Sequence, residues 1–195
     1  MTVPEVVSEV VKDQVFFDES QGGVTISGGE PLAQASFVEA LLADCRSRGL
    51  RTAVDTCGYG DPGKLGRISQ HADLFLFDLK LMDCERHQRF TGVPNDVILA
   101  NLRMLAARGS EIIVRMPVIP GINDDRDNIE ALGRFLLDTP LRRIDLLPYH
   151  RFAFGKYKRL QLDCEMSGVK PPTREEMMSI SAGPREAGFD VRIGG

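Results

Sequence analysis

Apolar residues recur along the chain in two alternating patterns, one helical and one extended. The valines between positions 3 and 11 recur at helical spacing, and Thr2 with Glu5 forms a capping box, so a first helix is predicted over residues 3–17. The same spacing predicts further helices at residues 37–45, 98–106 and 129–136, and a last one after residue 173. The Gly-Pro pair at 183–184 is expected to end or kink that last helix.

Short apolar runs, rich in β-branched residues and bounded by turn residues, predict buried strands between these helices. The runs lie at residues 24–26, 52–54, 74–77, 112–116, 144–147 and 189–193. Strands that alternate with helices predict an α/β fold with a parallel sheet covered by helices. About five strand–helix units favour a partial or full (β/α) barrel, although a doubly wound sheet would give the same periodicity. We expect a single domain over residues 1–195.

Composition narrows the range of partners. The 195 residues include 24 Lys and Arg against 28 Asp and Glu, a formal net charge of −4, and the basic residues form no stripe. Nucleic acid and anionic membranes are therefore not expected as partners. No stretch approaches the ~20 apolar residues that span a bilayer, and residues 1–17 do not have the pattern of a secretion signal, so we expect a cytoplasmic protein.

The cysteines are too far apart to form a local motif. They are Cys45, Cys57, Cys84 and Cys164. This spacing predicts neither a small disulfide-stapled fold nor a self-contained zinc or iron–sulfur site. Cys57 is expected to be a small buried packing residue.

Polar and ionisable residues follow the predicted strands at their carboxyl ends, where ligands bind in parallel β/α folds. In strand order they are Gly28, Gly29 and Glu30, then Asp55, then Asp78, Leu79 and Lys80, then Arg115, and finally His150. Because the carboxyl ends of parallel strands meet at one rim, these residues predict a binding site there.

The residue types at this rim suit a zwitterionic amino acid joined to a nucleoside. The two glycines allow close approach of a ligand to the backbone, and Glu30 suits an ammonium group. Lys80 and Arg115 suit a carboxylate, and His150 suits a heterocycle.

Simpler explanations exist for each of these features taken alone. Gly28-Gly29 would also form an ordinary tight turn, and Asp78 with Lys80 a surface ion pair worth only about 0–1 kcal/mol.

Asp55 and Asp78 could share a cation through their oxygen atoms.

Six motifs in a fixed order carry a family resemblance. They are residues 24–31 (VTISGGEP), 55–58 (DTCG), 78–80 (DLK), 118–121 (VIPG), 146–150 (LLPYH) and 168–172 (GVKPP). In this order the chain resembles the radical S-adenosylmethionine (SAM) activating enzymes of glycyl-radical enzymes, in particular the pyruvate formate-lyase activating enzyme family. The resemblance covers nearly the whole chain and implies a partial barrel of the radical-SAM type.

The resemblance also implies a reaction. A 4Fe–4S cluster transfers one electron to SAM, which gives methionine and a 5′-deoxyadenosyl radical. This radical abstracts a hydrogen from a glycine of a partner glycyl-radical enzyme, and a flavodoxin or ferredoxin supplies the electron. Pyruvate formate-lyase, a diol dehydratase, a choline lyase and a decarboxylase all remain possible partners.

By the same resemblance, Gly29 and its neighbours bind the methionyl ammonium group of SAM, and residues 78–80 contact the cofactor with Lys80 near its carboxylate. His150 lies near the nucleoside. Asp55 with Asp78 resembles a monovalent-cation site.

One departure from the family is large. The family holds its cluster with a Cys-x3-Cys-x2-Cys loop, and no cysteines of this chain have that spacing. We therefore expect an N-terminally truncated chain that lacks its first strand–helix unit, exposes residues 24–27 as an apolar edge, and is inactive on its own as a radical generator.

Two other functions share parts of this pattern. A non-catalytic SAM-binding or interaction module would have the same rim without a cluster. A (β/α)-barrel lyase or aldolase would use Lys80 as a Schiff-base nucleophile, which leaves the Gly-Gly-Glu-Pro and Asp55 features unexplained.

Overall fold

A single parallel sheet organises the molecule. The structure, a computed structural model, describes residues 1–150 and 168–194. In these residues the strands are β1 (Val24–Ile26), β2 (Thr52–Thr56), β3 (Leu74–Asp78), β4 (Ile112–Val118), β5 (Arg143–Pro148) and β6 (Asp190–Ile193). Each strand pairs in parallel with the next in the chain, in the order β1 to β6. A doubly wound sheet reverses its strand order, so this sequential order identifies the partial (β/α) barrel.

Helices connect the strands. Those in the described residues are α1 (Val3–Val10), α2 (Gln14–Ser20), α3 (Ala35–Ser47), α4 (Pro62–Ile68), α5 (Cys84–Thr91), α6 (Asp96–Ala107), α7 (Arg126–Leu137) and α8 (Arg174–Glu186). The predicted strands and the predicted helices at α3, α6, α7 and α8 are confirmed, but α4 and α5 were not predicted. Asp61 and Asp83 cap these two short helices by accepting a main-chain N–H three residues on. None of the helices described is long and apolar enough to cross a membrane.

Successive side chains along each strand point to opposite faces of the sheet, one covered by helices and the other open. Phe75 and Phe77 of β3 are fully buried beneath the helices, whereas Asp78 is only partly buried. Register places Asp78 beside Arg115 of β4. The covered face therefore holds the apolar core, and the open face presents charged side chains near the carboxyl ends of the strands.

The N-terminal helices have their own small core. The predicted helix over residues 3–17 is in fact two helices, because a 3₁₀ turn at Val11–Asp13 separates α1 from α2. Val7 packs with Leu41 and Cys45 of α3, and all three are buried. This contact holds the N-terminal segment beside β1, which lies at one edge of the described sheet as expected.

Pro184 does not end the last helix. The predicted capping box is present, since the Thr173 N–H donates to Glu176 at 2.7 Å and the Glu176 N–H donates back at 3.2 Å. The helix continues past Pro184 to Glu186, so it does not end at the proline, and a kink there stays a prediction. Pro184 has no N–H, so the helix lacks one hydrogen bond in its last turn.

Candidate functional site

Three charged side chains meet near the ends of β2 and β3, where Asp55 and Asp78 lie beside Arg115 from the middle of β4. The Arg115 guanidinium donates from Nε and Nη2 to Asp78 Oδ1, at 2.9 and 2.8 Å, and Nη2 also donates to Asp55 Oδ1. The three side chains are between 16% and 25% exposed. Neighbouring strands thus bring together residues that are 60 positions apart in the sequence.

This geometry changes the interpretation of two predicted site residues. Asp55 and Asp78, which were predicted to share a monovalent cation, both accept hydrogen bonds from the guanidinium of Arg115. Arg115, which was predicted to suit the carboxylate of a ligand, donates its hydrogen bonds to two carboxylates of its own chain. In the described residues, no group of three His, Cys, Asp or Glu side chains could hold a metal ion. The cation site at Asp55 and Asp78 therefore stays a prediction.

Ionisation of Asp78 depends on its neighbours. Burial raises the pKa of Asp78, and the charges of Arg115 and Lys80 oppose that rise. The Lys80 ammonium lies 4.0 Å from Asp78 Oδ2, at the limit of an ion pair, and 38% of the side chain is exposed. Arg115 is therefore the main partner of Asp78, which leaves the Lys80 ammonium available at the rim.

The glycine loop after β1 has open space around it. Gly28 has φ +129°, which favours glycine, and a Cβ added at Gly28 or Gly29 would meet no atom within 4 Å. At Gly29 neither packing nor a positive φ explains the absence of a side chain. The main chain at Gly28 and Gly29 is therefore accessible from the open space beside the loop.

Glu30 fixes this loop to the end of β2. Its carboxylate accepts the Leu32 N–H at 3.1 Å, the Cys57 N–H at 2.9 Å and the Cys57 thiol at 3.0 Å, and it also accepts the Thr56 hydroxyl. The contacts with Thr56 and Cys57 were not predicted, because these partners lie 26 and 27 positions away along the chain. The proposed contact of Glu30 with an ammonium group remains a prediction.

The three cysteines in the described part of the chain do not converge on a cluster site. Burial and the hydrogen bond to Glu30 raise the pKa of the Cys57 thiol to about 11, so it is protonated at neutral pH. Cys45 is fully buried in the small core with α1, Cys84 begins α5, and Cys164 lies outside the described residues. A 4Fe–4S cluster that also binds SAM needs three converging thiolates, so the described residues do not fit it.

A cavity of about 570 Å³ joins several of the predicted residues at the rim. Its lining includes Glu30, Cys57, Asp78, Lys80 and His87. His87 was not predicted, since nothing in its local pattern separates it from a core histidine. Its Nδ1 lies 2.7 Å from the carbonyl oxygen of Val93, which fixes the proton on that nitrogen in the neutral ring.

The remaining predicted residues lie around this cavity without lining it. Leu79 is buried directly after β3, and Asp55 and Arg115 are on the open face of the sheet. His150 is exposed and follows β5, where the Tyr149 N–H donates to the Val118 carbonyl. All of them share the rim, as predicted, but in the described residues the cavity gathers only those near β1, β2 and β3.

Known proteins are similar to this chain in sequence and in fold. The model of the radical SAM superfamily matches residues 1–132. The trans-4-hydroxy-L-proline dehydratase activating enzyme of Clostridioides difficile is 38% identical over the whole chain, which spans 65% of that enzyme. The pyruvate formate-lyase-activating enzyme of Staphylococcus aureus is 36% identical over 99% of the chain and 78% of the enzyme. A crystallised domain of pyruvate-formate lyase-activating enzyme from Bacteroides vulgatus has a TM-score of 0.76 at 33% identity, covering 89% of this chain and 99% of that domain.

These similarities agree with the fold and its sheet order. The chain spans less than two thirds of the first curated relatives that it matches, between 54% and 65% of their lengths. Its similarity to the Staphylococcus aureus enzyme nevertheless extends over more than three quarters of that protein. The chain therefore belongs to the radical SAM superfamily and, within it, to the family of activating enzymes that includes pyruvate formate-lyase-activating enzyme.

Proposed function

We propose that this chain is the SAM-binding body of an enzyme that activates a glycyl-radical enzyme. The observation that carries the proposal is the rim cavity of about 570 Å³, whose lining joins Lys80 and Asp78 to Glu30, the residue directly after the open glycine loop. An exposed ammonium group beside an unobstructed backbone suits the methionyl end of SAM. Membership in the radical SAM superfamily supports the same ligand and disfavours the aldolase alternative.

The proposed roles follow from the position of each residue. Gly28 and Gly29 leave the backbone accessible to the methionyl ammonium, with Glu30 holding their loop against β2. Lys80 binds the methionyl carboxylate. When bound, SAM supplies the 5′-deoxyadenosyl group that takes the hydrogen from the partner's glycine.

Three further residues would complete this site. Leu79 contributes packing at the cofactor, and His150 lies at the nucleoside end. Arg115 acts indirectly, since it neutralises Asp55 and Asp78 instead of reaching the ligand.

The relatives support a glycyl-radical enzyme as the partner, because two of them are named for activating trans-4-hydroxy-L-proline dehydratase and pyruvate formate-lyase. We propose a flavodoxin or ferredoxin as electron donor, a cytoplasmic location, a single domain, and no nucleic-acid or membrane partner. The thiolates that would hold the cluster are not supplied by the described residues. The non-catalytic SAM-binding module therefore stays the second candidate.

Calorimetric titration with SAM tests the proposal. We expect the chain to bind SAM and the Lys80→Ala, Asp78→Ala double variant to bind it at least about tenfold more weakly, because a charged hydrogen bond to the carboxylate is lost. Lys64→Ala is the control for the loss of a lysine from the cavity, since Lys64 lines the same cavity as Lys80. Binding that is unaffected by the double variant, or weakened equally by Lys64→Ala, would contradict the assignment of the site.

A further inference from the structure

The segment directly after β3 is buried although it has left the sheet. The last sheet bond of this strand joins the Leu79 N–H to the Arg115 carbonyl at 2.9 Å. Leu79 and Leu81 are each only 3% exposed, so the main chain between them passes through the protein interior. Buried main-chain N–H and C=O groups need partners, and here no neighbouring strand supplies them.

Asparagine side chains supply these partners. Asn95 donates from Nδ2 to the carbonyls of Leu81 and Met82, at 3.0 and 2.9 Å. Asn128 accepts the Met82 N–H at 2.8 Å. Asn128 also donates to the main-chain carbonyl of Asn123 at 3.0 Å. Asn128 and Asn123 therefore belong to one hydrogen-bond network.

Asn123 holds the main chain of Lys80 itself. Its amide donates to the Lys80 carbonyl at 2.8 Å and to the Pro117 carbonyl at 2.6 Å, and its Oδ1 accepts the Ile119 N–H at 2.7 Å. The side chain is 1% exposed and uses both donor hydrogens and its acceptor. Of the other side chains similar in size, Asp has no donor for the two carbonyls, and Leu has neither donor nor acceptor.

We propose that Asn123 is a positioning residue for Lys80. It ties the Lys80 carbonyl to the loop after β4, so the direction in which the Lys80 side chain leaves the backbone is fixed before a ligand binds. A long lysine side chain loses rotamer freedom when it binds, and a fixed backbone reduces what remains to be ordered. The inference rests on the proposed function, in which Lys80 binds the carboxylate of SAM.

A double-mutant cycle separates positioning from general damage to the fold. Affinity for SAM is measured by calorimetry for the chain, Asn123→Ala, Lys80→Ala and the double variant. We expect Asn123→Ala to weaken binding by about tenfold and to have no further effect once Lys80 is alanine. An effect that passes through Lys80 must vanish in its absence, whereas a loss caused by general destabilisation persists.

Asn101 provides the matched control. It is also an asparagine with 1% exposure, and it donates to two loop carbonyls at the same rim, those of Gly58 and Gly60, at 2.8 and 3.0 Å. Asn101→Ala removes the same chemical groups from a loop that does not contain Lys80. Any effect of Asn101→Ala on SAM affinity should therefore be the same with and without Lys80.

A second measurement covers the case in which Asn123→Ala does not fold. Asn123→Ser retains a small polar group. In this variant, hydrogen exchange is measured at the Met82 N–H, which donates a hydrogen bond to Asn128. We expect faster exchange at Met82 with little change at Phe77 within β3. Equal acceleration at both sites, additive losses in the cycle, or unchanged SAM affinity in Asn123→Ala would each overturn the proposal.

Failure of the proposed function gives a different result. In that case the unaltered chain does not bind SAM, or Lys80→Ala binds it as well as the unaltered chain does. The positioning role then fails together with the site. When Lys80→Ala weakens binding but Asn123→Ala does not, only the positioning role fails.

Discussion

Two glycines at the rim are glycine for different physical reasons. Gly58 has φ +71°, and a Cβ there would lie 2.1 Å from Cζ of Phe77, a fully buried ring. At Gly29 a Cβ would meet nothing within 4 Å. Packing and backbone conformation therefore account for the first glycine, whereas neither accounts for the second, and we propose that a ligand does.

Alanine substitutions should separate these two reasons. We expect Gly58→Ala to lower the free energy of unfolding by about 2–4 kcal/mol through strain and overpacking. Gly29→Ala should change it by less than about 0.5 kcal/mol, as for a surface substitution, but should weaken SAM binding by obstructing the backbone. Urea unfolding and calorimetry measure the two quantities. A Gly29→Ala chain that binds SAM normally would show that the ligand does not lie against this loop.

Side-chain partners were the part of the site that the sequence did not reveal. The positions of Asp78, Lys80 and Arg115 at strand ends followed from hydrophobic runs and the rule for parallel sheets. The pairing of Arg115 with both carboxylates did not follow, because it depends on strand register. The role of Asn123 was equally hidden, since a buried asparagine has no pattern of its own in the sequence.

At the scale of elements, one aspartate both caps a helix and joins it to another. Asp125 accepts the Asn128 N–H at 3.0 Å as the N-cap of α7, and its other oxygen lies 2.6 Å from Arg86 Nη2 of α5. The hydrogen bond from Arg86 lowers the pKa of Asp125 below its usual 3.8. A lowered pKa in the folded state stabilises the protein above the unfolded value and loses this effect as the pH falls through the folded value.

Asp125→Asn should remove the ion pair while keeping the cap, because asparagine is as good an N-cap as aspartate. Both partners are about 40% exposed, so we expect a loss of only about 0.2–1 kcal/mol at pH 7. The difference from the unaltered chain should shrink as the pH falls below 3.8 and disappear once the Asp125 carboxylate is protonated in the folded state as well. Urea unfolding across this pH range measures it.

Asp124→Asn is the control for this pH profile. It makes the same charge change one position away, and no salt bridge involves Asp124 in the structure of the described residues. Between pH 3 and 7, Asp124→Asn should leave the pH dependence of the free energy of unfolding nearly the same as in the unaltered chain. A difference that persists at low pH in Asp125→Asn would assign the loss to the cap instead of the ion pair.

The elements predicted from the sequence were those with a long or strongly apolar pattern. β3 and β4 are uniformly apolar over most of their length, and α7 carries buried residues at helical spacing. α4 and α5 have only seven and eight residues, so neither completes enough turns for a clear periodicity. Their aspartate caps and the proline that begins α4 were the available signals.

At the scale of the whole molecule, the two faces of the sheet divide stability from function. The helix-covered face contains one continuous apolar core, with Phe75, Val114 and Ile144 fully buried on three successive strands. The open face carries Asp55, Asp78 and Arg115, whose charges need partial contact with water. A charged open face at the carboxyl ends of the strands suits the entry of both a cofactor and a segment of a partner protein.

Cluster assembly on this chain is the prediction that concerns the whole molecule. The described cysteines lie in three separate places: Cys45 in the buried core beside α1, Cys57 bonded to Glu30, and Cys84 with its thiol 3.4 Å from Asp96 Oδ2. Cys164 alone, outside the described residues, would not complete a set of three converging thiolates. We therefore expect anaerobic incubation with iron and sulfide to leave the chain without a stoichiometric cluster and unable to cleave SAM.

Iron and sulfide analysis, together with chromatography for methionine and 5′-deoxyadenosine, measures both outcomes. Cys57→Ser is the internal control, because a thiol that is not a cluster ligand should be replaceable without changing the small amount of iron that binds adventitiously. Calorimetry on the same sample should still detect SAM at the rim, since Lys80 and the glycine loop do not depend on the cysteines. A stoichiometric cluster with SAM cleavage would contradict this expectation and would require the cysteines to converge in a way that the described fold does not provide.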